Sequence, residues 1–210
     1  MALTFDETIT SRERLRELGG GEAFDLVINK SIDHIDDMCA RFIAATPFVM
    51  VSTRGADGLL DMSPKGDPAG FVEVLDPKTL AIPDRLGNKR FDTFENLFEN
   101  PEVGLFFMIP GNKDTLRVSG TGKLVRDSAL QARMAVNGKE PNFVLIVTVQ
   151  EAMMHCPKCM VRSHLWEPEK WPDLSQVPTL AEAMVVHAAL SETTQDMQDL
   201  IDMDGEKRLY

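Results

Sequence analysis

From Phe48 to Cys156 the chain repeats one pattern seven times, a short apolar run followed by a turn or a break. FVMVSTR, LLDMSPKGD, FVEVL, TLAIP, VGLFFMI, TLRVSGTGKLV and FVLIVTVQEAMMHC read as strands in that order. Gly55-Ala56-Asp57-Gly58, Asp76-Pro77-Lys78 and Pro110-Gly111-Asn112 are turns, and Pro64 with Gly66 is expected to stop the second strand. Short strands at even spacing, joined by turns, predict an antiparallel sheet closed or nearly closed into a barrel. The expected class is therefore mainly β with flanking helices. Gly120 and Gly122 share one face of the sixth strand and predict a bend, or a close approach by a ligand or a neighbouring backbone.

Helical spacing appears on either side of these strands. From Ser31, the residues Ile32, Ile35, Met38, Cys39, Phe42 and Ile43 recur at a helical period, with Asp33 in the first turn and Pro47 beyond the end. Phe91, Phe94, Leu97 and Phe98 mark a short helix stopped by Asn100-Pro101, and Ser128 to Val136 a further one. Ser11 to Leu18 suits one or two helical turns. After Cys156 the pattern is mostly helical, and His187 on an apolar face reads as a core histidine. With no repeat or linker in view, residues 1–210 read as one domain: an arm over 1–30, a barrel core over 31–170 and a helical extension over 171–210.

Charge narrows the function classes. The net charge of −11 argues against nucleic acid or an anionic membrane as the main partner, since both are polyanions. No apolar run approaches a membrane span, and MALTFDETITSRERLREL has no signal-peptide core, so a cytoplasmic protein is the expectation. Three cysteines, an odd number, suit a reducing compartment.

Against that acidic background, IPDRLGNKRFDTFEN gathers Arg85, Asn88, Lys89 and Arg90 where a strand passes into a helix. Cations beside a helix N-terminus make a phosphate seat, because the free N–H groups and the helix dipole add to the side-chain charge. The alternative is a solvated basic turn. A second cationic loop, Ser63-Pro64-Lys65-Gly66-Asp67, also leaves a strand, and the two ends lie side by side in the expected barrel. Neither loop is GxxxxGK[ST], and no GxGxxG follows a strand. GxSxG and HExxH are absent too, so no protein nucleophile is marked out and the catalytic residues stay unassigned. A phosphate seat without a nucleophile suggests that a cofactor does the chemistry.

Two further groups follow the last strand. His155-Cys156-Pro157-Lys158-Cys159, with His164 nearby, offers zinc or dithiol chemistry, although adjacent His155 and Cys156 suit a single ion poorly and no second Cys-x-x-Cys exists. Arg162 and Trp166 can grip a flat anionic ligand, or Trp166 can simply anchor the segment to the barrel.

The succession DMSPKGDPAGFVEVLDPKTLAIPDRLGNKRFDTFENLFENPEVGLFFMIPG, followed by TLRVSGTGKL, resembles the flavin-binding proteins related to pyridoxamine 5'-phosphate oxidase. His155, Cys156, Lys158, Arg162, Ser163, Leu165 and Trp166 match an HCxK…RSxLW segment of one branch. The resemblance covers roughly residues 30 to 170. It implies an antiparallel split β-barrel, a homodimer, and FMN at the subunit interface. It further implies Ser63, Lys65, Arg85, Asn88 and Arg90 as phosphate ligands, with Lys89 beside them. Lys65 stands where relatives often carry arginine. Arg117 and Ser119 would meet the flavin or its ribityl chain, and Arg162 and Trp166 would line the site from one subunit or the other. Cys159 lies outside the family pattern. The oxidase's signature for pyridoxamine phosphate is incomplete here. The implied activity is thus an FMN-dependent oxidoreductase acting on an unidentified small molecule. The alternatives are a flavin-binding or storage protein without turnover, and a zinc or redox-thiol module at residues 155–164.

Overall fold

The computed structural model describes residues 3–210. Helix α1 is Arg12–Gly19 and α2 is Asp25–Ile28, a short turn that the sequence did not signal. Helix α3 is Asp37–Ala44. Strands β1 (Phe48–Arg54), β2 (Leu60–Gly66), β3 (Glu73–Asp76) and β4 (Thr79–Pro83) follow. Next come α4 (Asp92–Glu99), β5 (Glu102–Met108), β6 (Thr115–Val125), α5 (Ser128–Arg133) and β7 (Val144–His155). Helices α6 (Lys158–Arg162), α7 (Leu180–His187) and α8 (Thr194–Lys207) close the chain, with a short 3-10 turn at Pro168–Lys170.

All seven strands join one antiparallel sheet in the order β2-β1-β5-β6-β7-β4-β3. β2 and β3 are its two edges, so the barrel is split rather than closed. The long strands β6 and β7 make the turn between its halves: β6 pairs with β5 only as far as Thr121 but with β7 along its whole length. A register shift at Ser119/Gly120 bends them. A Cβ on Gly120 would collide with the Thr148 carbonyl oxygen, so of the two approaches expected at this glycine the backbone of β7 is the one present.

The concave side holds the core. Val49, Val51, Leu80, Leu105, Phe107, Leu116, Val118, Leu145 and Val147 are fully buried there, closed over by Phe42 and Ile43 of α3 and by Phe94 and Leu97 of α4. Helix α5 packs Leu130 and Met134 on a second cluster with Ala81, Val144 and Ile146.

Three local expectations are corrected. Helix α3 starts at Asp37, not Ser31, because the Asp36 carboxylate accepts from Cys39 N at 2.8 Å and caps it. Ile32 instead exchanges backbone hydrogen bonds with Ala152 of β7, and Asp33, outside the helix, pairs with Lys78. Pro64 does not stop β2: the strand is a sheet edge with one neighbour, where a missing N–H costs little. His187 is exposed, since the buried residues of α7 and α8 are Ala181 and Met197.

Candidate functional site

Strand alternation decides which side chains of β2 reach the core side. Asp61, Ser63 and Lys65 are half-buried, whereas Leu60, Met62 and Pro64 point outward. Opposite lies the segment Asp84 to Phe91, which leaves β4 and enters α4. Asn88 shapes it by accepting from Arg90 N at 3.0 Å. Lys89 and Phe91 both take positive φ, 62° and 59°, a conformation that is uncommon outside glycine and that clusters at functional sites. Phe91 precedes α4 without giving it a side-chain cap. Its ring packs with Phe94 and Phe143, which fix the loop to the barrel. Thr93 Oγ1 donates to Asp61 Oδ2 at 2.6 Å and ties the helix start to β2.

Between β2 and this loop lies an open cavity of about 560 Å³. Six of the ten candidate residues line it: Ser63, Lys65, Arg85, Asn88, Lys89 and Arg90. The Lys65 ammonium lies 5.0 Å from the Phe94 ring centroid. Burial pushes its pKa down, while Asp84 and Asp61 pull it back up. Burial pushes the Asp84 carboxyl up, against the pull of Lys65 and Arg85. Arg90 is exposed and pairs with Asp92 at 2.7 Å. Arg85 is committed elsewhere: its Nε donates to Asp67 Oδ2 at 2.5 Å and its Nη2 to the Met134 carbonyl at 2.9 Å. The Tyr210 hydroxyl holds the other Asp67 oxygen at 2.7 Å.

The other four candidates lie outside this cavity. Register puts Arg117 opposite Phe106, then Met50, then Pro64, so Arg117 and Ser119 share the outer sheet face with Pro64 and Met62. That is the reverse face to Ser63 and Lys65. Arg117 pairs there with Glu151 at 2.9 Å. Arg162 is exposed on α6. Trp166 donates to the Asn112 carbonyl at 2.7 Å, which anchors its segment to the β5–β6 turn. Cys156 and Cys159 are exposed. Among the described residues no group of three or more His, Cys, Asp or Glu side chains is placed to hold a metal ion.

The sequence reading missed Asp61, Asp84, Thr93 and Asn142 in the cavity wall, and Tyr210 behind it. They are scattered along the chain, and the folded sheet, with Thr93 tied to Asp61 and Tyr210 to Asp67, brings their segments together.

Residues 35–156 match the family model described as pyridoxamine 5'-phosphate oxidase, which is more than half of the chain. The chain belongs to that family. The match runs from just before α3 to the first residue past β7, so it takes in the whole sheet and every cavity residue. HupZ of Group A Streptococcus shares 20% identity over 56% of this chain and 91% of its own, with a TM-score of 0.45. A candidate pyridoxamine 5'-phosphate oxidase from Lactobacillus delbrueckii shares 22% over 58% of this chain and 95% of its own, TM-score 0.46. An F420 reductase shares 18% over 54% and 93%, TM-score 0.40. No curated protein matches the chain. Among the described residues no helix is long and apolar enough to cross a membrane.

Proposed function

We propose that this protein is an FMN-binding flavoprotein working as a homodimer, an oxidoreductase on a small molecule whose identity stays open. The cationic cavity between β2 and the Asp84–Phe91 loop carries the reading. Its donor set fits a phosphate monoester: the Lys65 ammonium, the Ser63 hydroxyl, the Asn88 amide, Lys89 and Arg90, at the start of a helix without a side-chain cap. Among the described residues Lys65 and Lys89 have no carboxylate within ion-pair distance, and Arg90 has only an exposed one, which a phosphate can displace at little cost. The volume is that of a ligand pocket, about 300–1,000 Å³ in general. The family's general use of flavin supports the same assignment.

Bound there, the flavin supplies two-electron chemistry that no side chain of the cavity offers. Ser63, Lys65, Asn88, Lys89 and Arg90 would seat the phosphate, with Asp61 and Asp84 in the same wall. An arriving phosphate favours the charged form of Lys65, which burial otherwise disfavours. Burial raises the Asp84 pKa against the pull of Lys65 and Arg85, and a bound anion beside it would push in the same direction as burial.

The homodimer rests on the outer sheet face. Leu60 and Met62 are 72% and 63% exposed there, beside half-buried Phe48, Met50, Phe106 and Met108. An apolar face of this extent is typical of an interface. Arg117, Ser119, Arg162 and Trp166 are outside the cavity of their own chain, so their expected contact with flavin requires the partner.

The test is the visible spectrum of protein purified without added cofactor, and again after FMN and desalting. Retained flavin bands are expected, and Arg90→Ala should weaken FMN roughly tenfold to a hundredfold with the fold intact, the loss of one charge-assisted contact. Absence of flavin in both samples refutes the reading. Screening bound FMN for reduction by donors, NAD(P)H included, then separates an enzyme from a carrier without turnover.

A further inference from the structure

We propose that Cys156 and Cys159 are a redox-active dithiol that exchanges with external disulfides and closes into an intramolecular disulfide. The flavin reading uses neither thiol, and no metal-ligand group in the described residues includes them. Both are exposed, in contrast to Cys39, which is buried and whose thiol burial pushes up to about 11.

The backbone supplies the geometry. With trans peptides, the Cα separation of residues 156 and 159 depends on the torsions of Pro157 and Lys158 alone. Pro157 is right-handed helical, φ −76° and ψ −1°, and Lys158 is the first residue of α6. Two helical torsion pairs in succession put the Cα atoms roughly 5 Å apart. A disulfide spans about 4.4–6.8 Å between Cα atoms. The turn is held by backbone hydrogen bonds, since Val161 N donates to Pro157 O and Ser163 N to Cys159 O, both at 3.0 Å. The bridge can therefore close without moving the barrel.

The step is a balanced exchange. One cysteine, as thiolate, attacks an external disulfide R–S–S–R and releases RS⁻, which takes up the proton that the attacking thiol lost. The second cysteine attacks the mixed disulfide and releases the second RSH. The protein gains one S–S bond, loses two hydrogens, and the external disulfide is reduced to two thiols. A dithiol reverses the sequence. In a reducing compartment, an exposed pair of this kind is transient or redox-sensing rather than structural.

The test uses the full chain, with and without FMN, incubated with oxidised glutathione. Intact mass should fall by two hydrogens without a lasting glutathione adduct. Maleimide labelling of both cysteines should drop at least tenfold, and dithiothreitol should restore it. Trypsin cuts after Lys158, so the bridge appears as two peptides joined until reduction. Cys156→Ser and Cys159→Ser should each leave one glutathione on the remaining cysteine. A stable glutathione adduct on the unaltered chain, or no change in mass, overturns the proposal. Neither result depends on whether flavin binds.

Discussion

Asp67 offers the sharpest test of how the proposed phosphate seat is built. Its side chain is 0% exposed, with Arg85 Nε on one oxygen at 2.5 Å and the Tyr210 hydroxyl on the other at 2.7 Å. Arg85 is itself only 17% exposed and also holds the Met134 carbonyl. Asp67→Ala leaves that guanidinium in the wall without its counter-charge. Breaking a buried pair from one side costs about 3–5 kcal/mol in general, and the residual exposure of Arg85 with its kept bond to Met134 puts this site near 3 kcal/mol. With a urea slope of roughly 2 kcal/mol per M, the midpoint should fall by about 1.5 M at pH 7. Asp67→Ala with Arg85→Met, which removes both charges, should recover most of the loss. FMN titration gives the decisive sign. If Arg85 anchors the loop, Asp67→Ala disorders the seat and weakens FMN by about tenfold, near 1.4 kcal/mol. If Arg85 is a phosphate ligand restrained by Asp67, the same substitution frees its fork and tightens FMN. Tighter binding refutes the anchor assignment.

Three further outcomes follow from the same geometry. Burial raises the Asp84 pKa above its ordinary 3.8, so the folded state favours the protonated acid, and that contribution is lost as pH rises through the raised value. Asp84→Asn should therefore melt higher than the parent at pH 7, and the gap should close as the pH falls below about 3.8; an equal gap at both pH values would contradict the burial argument. Gly120→Ala meets the Thr148 backbone and should cost more than about 3 kcal/mol in urea unfolding, whereas Gly122→Ala meets Leu97 and Leu145 side chains at 3.1–3.2 Å and should cost about 1 kcal/mol. Phe106→Glu puts a charge in the middle of the outer sheet face, and light scattering should show half the parent's mass together with loss of bound flavin; a dimer of unchanged stability would place the interface elsewhere.

How much was legible depended on whether a signal was local. β1 and β6 fall on the segments read for them, because alternation over seven and eleven residues marks both ends. The start of α3 differs from the sequence expectation because Ile32 and Ile35 fit a helical period equally well as part of an extended segment, and the Asp36 cap decides between them. The loop cations were legible because they are contiguous, and all of them reach one cavity. The fate of Arg85 was not, since Asp67, Met134 and Tyr210 come from three distant segments. Nor does the linear motif TLRVSG say which face of β6 carries Arg117 and Ser119; the register with β5 and β1 does.

Those pairings bear on how an acidic protein holds an anion at all. At a net charge of −11, most candidate arginines have met a carboxylate: Arg85 with Asp67, Arg90 with Asp92, Arg117 with Glu151. The pairs are not equivalent. Those of Arg90 and Arg117 are solvent-exposed, where an ion pair is worth about 0–1 kcal/mol and exchanges readily for a better acceptor. That of Arg85 is shut in and will not open for a ligand at comparable cost. Lys65 is different again, half-buried, with a ring beneath it and its nearest acids acting only at a distance. In the proposed seat a phosphate would gain most from Lys65 and Arg90, with Arg85, if it is the anchor, fixing the loop that presents them. For the proposed seat, the Arg90–Asp92 pair would then act as a selectivity device, because a ligand must bring enough negative charge to displace Asp92.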